Sequence, residues 1–236
     1  LYNILKNEQH HFIISVSQDE KKAIINYLKI SGERIKVIYH GDEKFPLRSI
    51  SNQNKGKDDV PYILWVGKVF PHKNLIRLLY AYNELIQTKH IKYRLVICGM
   101  KSWGYPSLVK TVRELNLQHK IIFKGYIPHN ELRPVYTNAS LFIFPSLIET
   151  FGLPILEAMS CGTPVITSNY GAMAEIAGDA ALLVNPYNVD EIAEAMYKVL
   201  TDENLREDLI SNGLKRAKQF SWEKTAKKTL EVYKKV

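Results

Sequence analysis

The sequence has no apolar run approaching the roughly 20 residues of a membrane-spanning helix. Its longest run, around Leu141 to Phe144, has the length of a β-strand. It also begins Leu1-Tyr2-Asn3, without a methionine or a signal-peptide pattern. We interpret this start as a cut within a longer protein. With 236 residues, 46% of them hydrophobic, the chain can bury the core of one large domain, or of one domain and part of another.

Cysteine is scarce, since only Cys98 and Cys161 are present, each next to a glycine. Two isolated cysteines predict reduced, packed thiols and a cytoplasmic location. The sequence has no C-x-x-C motif and no cluster of histidine and cysteine, which argues against a disulfide and against a metal site.

Basic residues outnumber acidic ones by 32 to 24, which gives a formal net charge of +8. Residues 214–236 contain eight lysines and arginines and two glutamates, a local excess of +6. Such a surface suits an anionic membrane or a nucleic acid. A solvated helix face explains it equally well, and we prefer that interpretation for the charge by itself. No nucleic-acid-binding motif is recognisable, so we expect no nucleic-acid partner.

The first forty residues predict a strand, a helix and a second strand. His11 to Val16 forms a short apolar run, and Ser17 with Glu20 fits a helix-capping box. We expect Gly32 to end the helix and Lys36 to Tyr39 to form the next strand. Residues 41–60 then break the pattern with a polar stretch that contains Pro, Gly, Asn and Ser.

A regular alternation of strands and helices follows. The expected strands are Tyr62–Val66, Arg94–Cys98, Ile121–Phe123, Leu141–Phe144, Val165–Thr167 and Ala181–Val184, with helices near 74–88, 105–116, 130–138, 153–160 and 172–177 and three more at about 189–201, 203–219 and 222–235. Short buried strands that alternate with helices predict an α/β fold with a doubly wound, parallel, Rossmann-like sheet. We expect the strand order 3-2-1-4-5-6, with a ligand crevice at the carboxyl ends of the strands.

The most informative stretch runs from Phe144 to Met159. Its apolar strand ends at Pro145, a loop carries Glu149, and a helix is predicted from about Leu153. Gly152 allows close approach of the backbone to a ligand. Because the N-terminus of a helix has free N–H groups and a favourable dipole, a diphosphate suits this position.

Glu157 follows Glu149 after seven residues, and we place it on the first turn of the predicted helix. Each carboxylate can accept hydrogen bonds from neighbouring hydroxyls, one from a ribose and the other from a transferred sugar. A lone glutamate there is also explained by the helix dipole, worth up to ~1 kcal/mol. Because it coincides with Glu149 and Gly152, we favour a binding role.

A second cluster, from Trp65 to Asn74, repeats the arrangement of a strand, a glycine, a loop and a helix. Lys68 and Lys73 bracket this loop. Two cations at the carboxyl end of a strand can neutralise a diphosphate leaving group. For either lysine taken alone, we would favour the interpretation that it is an ordinary exposed lysine without a binding role.

These motifs resemble the carboxyl-terminal domain of family 4 of the retaining GT-B glycosyltransferases, the glycosyl transferases group 1, over residues from about 60 to 236. The E-x7-E motif from Glu149 to Glu157 is its most specific part. Also similar are Gly67-Lys68, Lys73-Asn74, Gly125-Tyr126-Ile127, Gly178-Asp179-Ala180, Asn185-Pro186 and Phe220-Ser221-Trp222-Glu223. The family usually has arginine at the position of Lys68. Lysine keeps the positive charge but lacks the paired N–H donors with which a guanidinium binds phosphate.

The resemblance implies a role for each matching residue. The implied donor-binding residues are Gly67, Lys68, Lys73, Tyr126, Ile127, Glu149, Phe151, Gly152, Leu153 and Glu157. Lys68 and Lys73 would contact the diphosphate, Glu149 the donor sugar and Glu157 the ribose, while Tyr126 and Ile127 would line the base pocket. The catalytic set would be Glu149, Lys73 and Lys68.

The resemblance also implies a domain organisation. Residues 1–45 would be the end of an incomplete amino-terminal acceptor domain, 46–60 a linker, and 61–236 the nucleotide-sugar-binding domain. The last helix carries the stripe Trp222, Ala226, Leu230 and Tyr233, and in the family such a helix crosses back onto the first domain. His40, His72 and His129 are expected in turns or loops.

The implied reaction transfers a hexose, such as mannose or glucose, with retention from a nucleoside diphosphate sugar to a glycan or lipid-linked acceptor in cell-surface polysaccharide or glycolipid synthesis. We expect no metal and no cofactor, because Asp58-Asp59 in the linker is the wrong place for an Asp-x-Asp metal motif. The isolated fragment should bind donor but transfer poorly. The expected location is the cytoplasm, with peripheral contact at the inner face of the membrane. The alternatives are a sugar epimerase and a nucleotide-binding module without transferase activity.

Overall fold

The computed structural model describes residues 12–42 and 60–234. The strands are β1 (Ile13–Ser15), β2 (Ile35–Val37), β3 (Tyr62–Val66), β4 (Arg94–Cys98), β5 (Ile121–Gly125), β6 (Leu141–Phe144), β7 (Val165–Ser168) and β8 (Leu182–Val184). The helices are α1 (Gln18–Leu28), α2 (Leu75–Lys89), α3 (Tyr105–Glu114), α4 (His129–Thr137), α5 (Leu153–Ser160), α6 (Gly171–Ala177), α7 (Val189–Thr201), α8 (Glu203–Ala217) and α9 (Trp222–Tyr233). Most of the predicted linker 46–60 lies outside the described residues.

Six parallel strands form the main sheet in the order β5-β4-β3-β6-β7-β8. Counted from β3, this is the predicted order 3-2-1-4-5-6, so the doubly wound α/β fold is confirmed. The order reverses between β3 and β6. Loops that leave the carboxyl ends of these two strands therefore diverge there and leave room for a ligand.

The central strands are apolar because helices cover both of their faces. Leu64 and Trp65 of β3 and Phe142 of β6 are fully buried, as is Leu79 of α2. The cysteines are free thiols, and burial raises the pKa of both Cys98 and Cys161 to about 11. Cys98 is buried and Cys161 is half-buried, as expected of packed side chains.

The amino-terminal segment is a separate two-stranded parallel unit, β1-α1-β2. Ser17 caps α1 by accepting from the N–H of Glu20 at 3.0 Å. The Glu20 carboxylate accepts from the N–H of Val16 at 2.8 Å and not from that of Ser17, so the predicted capping box is only half formed. Gly32 does not end the helix; Lys29 does, with a left-handed backbone at φ 52°. A short 3-10 helix occupies Gly32–Arg34 instead.

Most of the stripe predicted on α9 is exposed among the described residues. Trp222, Leu230 and Tyr233 are exposed, and the buried residue is Val232. The helix nevertheless meets the amino-terminal segment, because the Thr225 hydroxyl donates to the carbonyl of Tyr39 at 2.7 Å. The stripe predicted from i, i+4 spacing is therefore not the face that packs among the described residues.

Candidate functional site

Loops from the carboxyl ends of β3 and β6 bring Lys73 and Glu149 together. The Lys73 ammonium donates to Glu149 Oε1 at 2.5 Å, although 75 residues separate them in the chain. Their side chains are 14% and 13% exposed, so water screens this ion pair only partly. The ammonium also lies 5.4 Å from the ring centre of Phe144, at the end of β6. Two residues that the sequence assigned to different parts of a donor are thus direct neighbours.

Lys68 lies nearer the solvent, in the same loop as Lys73. Its ammonium is 4.8 Å from the ring centre of Phe70, and its side chain is exposed. The preceding Gly67 is held by the neighbouring strand, since its N–H donates to the carbonyl of Cys98 at 2.9 Å. A Cβ on Gly99 would lie 1.7 Å from the Gly67 carbonyl oxygen, so these two chains approach as closely as glycine permits.

Gly152 starts α5 with a backbone that L side chains rarely adopt, at φ 101° and ψ 49°. The helix begins at Leu153 with Pro154 in its first turn, as predicted. Within residues 12–42 and 60–234, no acceptor pairs with the backbone N–H groups of Phe151, Gly152 and Leu153. These donors lie two to four residues after Glu149, where an anionic or hydroxyl-bearing ligand can accept from them.

Glu157 is the fifth residue of α5, which begins at Leu153 as predicted, so it lies just beyond the first turn in which it was expected. The helix dipole therefore does not account for it, since that effect fades beyond the first turn. Its carboxylate is held instead by the fully buried Tyr136, whose hydroxyl donates to Glu157 Oε2 at 2.7 Å. Burial, and then the nearby carboxylate, raise the pKa of Tyr136 well above its ordinary value, which keeps the phenol a donor.

His129 is the second partner of Glu157, with Nε2 3.4 Å from Oε1. It is the first residue of α4 and not a loop residue, which corrects the prediction. Pro128 precedes this helix and the imidazole remains 43% exposed. Sequence reasoning missed Tyr136 and His129 because neither carries a motif. The only available signal was that α4 ends just before β6 and so runs beside the helix that carries Glu157.

Tyr126 and Ile127 follow β5, at the far side of the same sheet edge. Tyr126 is exposed and Ile127 packs partly against the core. Gly125 turns the chain there with φ 69°, and a Cβ on it would meet no atom within 4 Å. Open space therefore lies next to Gly125 at this end of β5.

Asn74 joins three of the loops at this edge. It is buried, and its side-chain amide donates to the carbonyls of Pro145 at 3.0 Å and Pro186 at 2.7 Å. Its Oδ1 accepts from Arg77 at 3.1 Å. Beside it, the N–H of Leu147 donates to the carbonyl of His72 at 2.7 Å.

The amino-terminal segment supports the Glu149 loop from the opposite side. The Ser17 hydroxyl donates to the carbonyl of Thr150 at 2.8 Å. Phe151 is buried next to Tyr39 and His40, with ring centres 6.2 Å and 5.0 Å away. Burial lowers the pKa of His40, so its neutral form is favoured in this contact.

His72 lies in a short 3-10 helix, Pro71–Lys73, which replaces the loop expected there. Its ring stacks on Phe70 with centres 5.4 Å apart. Burial, and then the charge of Lys73, lower the pKa of His72. The imidazole therefore does not compete with Lys73 for an anion as a second cation.

Among the described residues, no group of three or more His, Cys, Asp and Glu is arranged to hold a metal ion. In the same part of the chain, no helix is both long and apolar enough to cross a membrane.

Residues 48–216 match the profile of the family described as glycosyl transferases group 1. O-antigen chain mannosyltransferase B of Escherichia coli is 40% identical over 173 residues, which cover 73% of this chain and 45% of that protein. The serotype-specific mannosyltransferase WbdA of Escherichia coli is 30% identical over 233 residues, which cover 95% of this chain and 29% of that protein. The chain thus spans less than half the length of both relatives.

Solved structures match nearly the whole chain. Sucrose-phosphate synthase from Thermosynechococcus elongatus has a TM-score of 0.84 and 27% identity, over 99% of this chain and 59% of that one. Anabaena HepE in complex with UDP and glucose has a TM-score of 0.85 and 22% identity, over 100% of this chain and 66% of that one. The HepE likeness concerns the fold alone.

Proposed function

We propose that this chain, which belongs to the glycosyl transferases group 1 family, binds a nucleoside diphosphate sugar for a retaining hexosyl transfer. The observation that carries the proposal is the pairing of Lys73 with Glu149 beside the glycine-led start of α5. One cation and one carboxylate are in direct contact, and the N–H groups of residues 151–153, which have no acceptor among the described residues, follow the carboxylate by two to four residues. A diphosphate bonded to a sugar needs a cation beside its phosphates and, close by, an acceptor for the hydrogen bonds of the sugar hydroxyls.

In the proposed complex, Lys73 exchanges Glu149 for the diphosphate and Lys68 approaches it from the solvent side. Glu149 then accepts from hydroxyls of the transferred sugar. As the bond between sugar and phosphate breaks, negative charge grows on the leaving diphosphate. The two ammonium groups and the N–H groups of Gly152 and Leu153 stabilise that charge more than they stabilise the ground state.

Glu157 is proposed to hold the ribose, with Tyr126 and Ile127 beside the base. A ribose presents two adjacent hydroxyls, and a carboxylate can accept from both. Tyr136 contacts Glu157 Oε2 and His129 contacts Oε1. Each oxygen has a further lone pair, to which the ribose hydroxyls would donate. Gly67 and Phe151 are proposed to contribute backbone contacts to the same donor.

Mannose is the first sugar to test, because two relatives are named as mannosyltransferases. The acceptor is proposed to be a glycan or a lipid-linked sugar. We propose that this chain supplies the donor half of such an enzyme, since it spans less than half the length of the two relatives. The proposed domain division remains residues 1–45, 46–60 and 61–236.

Isothermal titration of the 236-residue chain with UDP, GDP and GDP-mannose tests the donor site. We expect one of the diphosphates to bind, and Glu157→Gln to weaken it by about 10- to 100-fold, since a hydrogen bond to a charged group contributes roughly 1.5–3 kcal/mol. Glu194→Gln is the matched control, because Glu194 pairs with Lys89 on an exposed surface. Folded protein that binds no nucleotide at millimolar concentration would refute the proposal.

Contact with an anionic membrane is a second proposal, favoured by the exposed face of α9. Leu230 and Tyr233 are 52% and 68% exposed there, close to Lys227 and Lys228. Apolar and basic side chains on one helix suit the surface of an anionic bilayer. Sedimentation with vesicles that contain phosphatidylglycerol should retain the chain, and Leu230→Ser should reduce retention. Equal retention by neutral vesicles, or no effect of the substitution, would contradict this contact.

A further inference from the structure

Asn74 is buried, and all of its side-chain polar atoms are used in hydrogen bonds. Its Nδ2 group donates both hydrogens, to Pro145 and to Pro186, and its Oδ1 accepts from Arg77. Pro145 follows β6 and Pro186 follows β8, whereas Asn74 itself follows β3. A single planar amide therefore joins the carboxyl-end loops of three strands.

Hydrogen bonds between these loops lie on both sides of Lys73, which pairs with Glu149. His72 and Asn74, on either side of Lys73, are both bonded to the loop of β6, through the N–H of Leu147 and the carbonyl of Pro145. Glu149 follows Leu147 by two residues. Two attachments thus hold the backbone segments that carry Lys73 and Glu149 next to each other.

We propose that Asn74 is a positioning residue for the donor site, which fixes Lys73 relative to Glu149 and so determines affinity for the diphosphate and sugar part of the donor. This inference rests on the proposed function and adds a residue that touches no donor atom. The positioning role also explains why asparagine suits position 74. Asn74 has a left-handed backbone, φ 62°, which asparagine tolerates better than most side chains. Glycine would tolerate it without donors, and aspartate would accept but not donate.

Nucleotide binding by Asn74→Gly and Asn74→Asp tests the proposal. The wild-type chain and both variants are titrated with nucleoside monophosphate and with the diphosphate sugar of the same base. We expect affinity for the diphosphate sugar to fall about tenfold, because two buried carbonyls lose their donors and the loops separate. Affinity for the monophosphate should change less than about twofold, since Glu157 and the base loop do not depend on Asn74.

Asn116→Gly is the matched control. Asn116 also has a left-handed backbone, φ 55°, but it is exposed and lies before β5, at the opposite edge of the sheet. We expect it to bind both ligands like the wild type. If Asn74→Gly binds both ligands like the wild type, or loses both equally, the positioning role is refuted. If the wild type binds no diphosphate sugar, the donor-site proposal fails first, which separates the two failures.

Arg77→Met provides a second variant if Asn74→Gly does not fold, as judged by thermal unfolding. It removes the donor to Asn74 Oδ1 and leaves both carbonyl attachments in place. We expect a smaller loss of diphosphate-sugar affinity, again without a loss for the monophosphate. An equal loss for both ligands would overturn the proposal.

Discussion

The Tyr136 hydroxyl allows a direct test of how Glu157 is held, because one atom can be removed with little change of shape. In Tyr136→Phe, Glu157 Oε2 loses a donor at 2.7 Å in a fully buried environment. Oε1 keeps His129, which is farther away at 3.4 Å and more exposed. The carboxylate thus loses its better-defined partner and gains freedom to rotate.

Two magnitudes follow from this geometry. A hydrogen bond to a charged group contributes roughly 1.5–3 kcal/mol, so the free energy of unfolding should fall by about that amount. Ordering a freed side chain again on ligand binding costs about 0.5–1.5 kcal/mol, which corresponds to a dissociation constant about 2- to 12-fold higher. The substitution should therefore affect stability more than affinity.

Urea unfolding measures the first quantity, and titration with the nucleoside diphosphate measures the second. Tyr82→Phe is the matched control, since Tyr82 is also buried and donates to Tyr93 at 2.7 Å, at the opposite edge of the sheet. It should lose stability and keep nucleotide affinity. Unchanged affinity in Tyr136→Phe, or an equal loss in both variants, would refute the view that Tyr136 orients Glu157 for a ligand.

Two further changes are predicted from local geometry. Gly152→Ala should lose about 1–3 kcal/mol of stability and also nucleotide affinity, because φ 101° strains any side chain at the start of α5. Gly162→Ala is the control, with φ 71° at the other end of that helix, and it should lose stability alone. If both variants lose nucleotide affinity equally, or neither loses it, a ligand role for Gly152 is contradicted. Burial lowers the pKa of His40 below its unfolded value, so its neutral form stabilises the fold above about pH 6.5 and this contribution is lost as the pH falls through that value. Urea unfolding from pH 7.5 to 5.5 should show wild type losing stability relative to His40→Phe, and a constant difference would contradict this assignment.

Features encoded by short segments could be predicted from the sequence. The strand order follows from apolar runs that alternate with helices, and the start of α5 follows from Gly152 and Pro154. Lys73 and Glu149 were expected at one edge of the sheet because each follows a strand. Parallel strands place such residues together even when many residues separate them.

Features that depend on partners distant in the chain could not be predicted. Tyr136 meets Glu157 only because α4 and α5 are neighbours, and no spacing in either helix indicates a buried hydroxyl. Glu157 was expected in the first turn of α5, although the helix begins at Leu153 as predicted and Glu157 is its fifth residue, one position beyond that turn. Apolar spacing on α9 likewise indicates an amphipathic helix without indicating its neighbour, and the expected packing of its stripe on the first domain stays a prediction.

The Glu149 loop is held from two sides, and this has a consequence for ligand exchange. From the sheet, Asn74 and His72 attach residues 145–147; from the amino-terminal segment, Ser17 attaches Thr150. The backbone around Glu149 is thus fixed at both ends, whereas its side chain depends on the ion pair with Lys73. A donor that offers an anion to Lys73 and hydroxyls to Glu149 can replace that pair without moving the loop. The loop is already ordered when the protein folds. Ligand binding therefore does not carry the entropic cost of ordering it, which favours affinity.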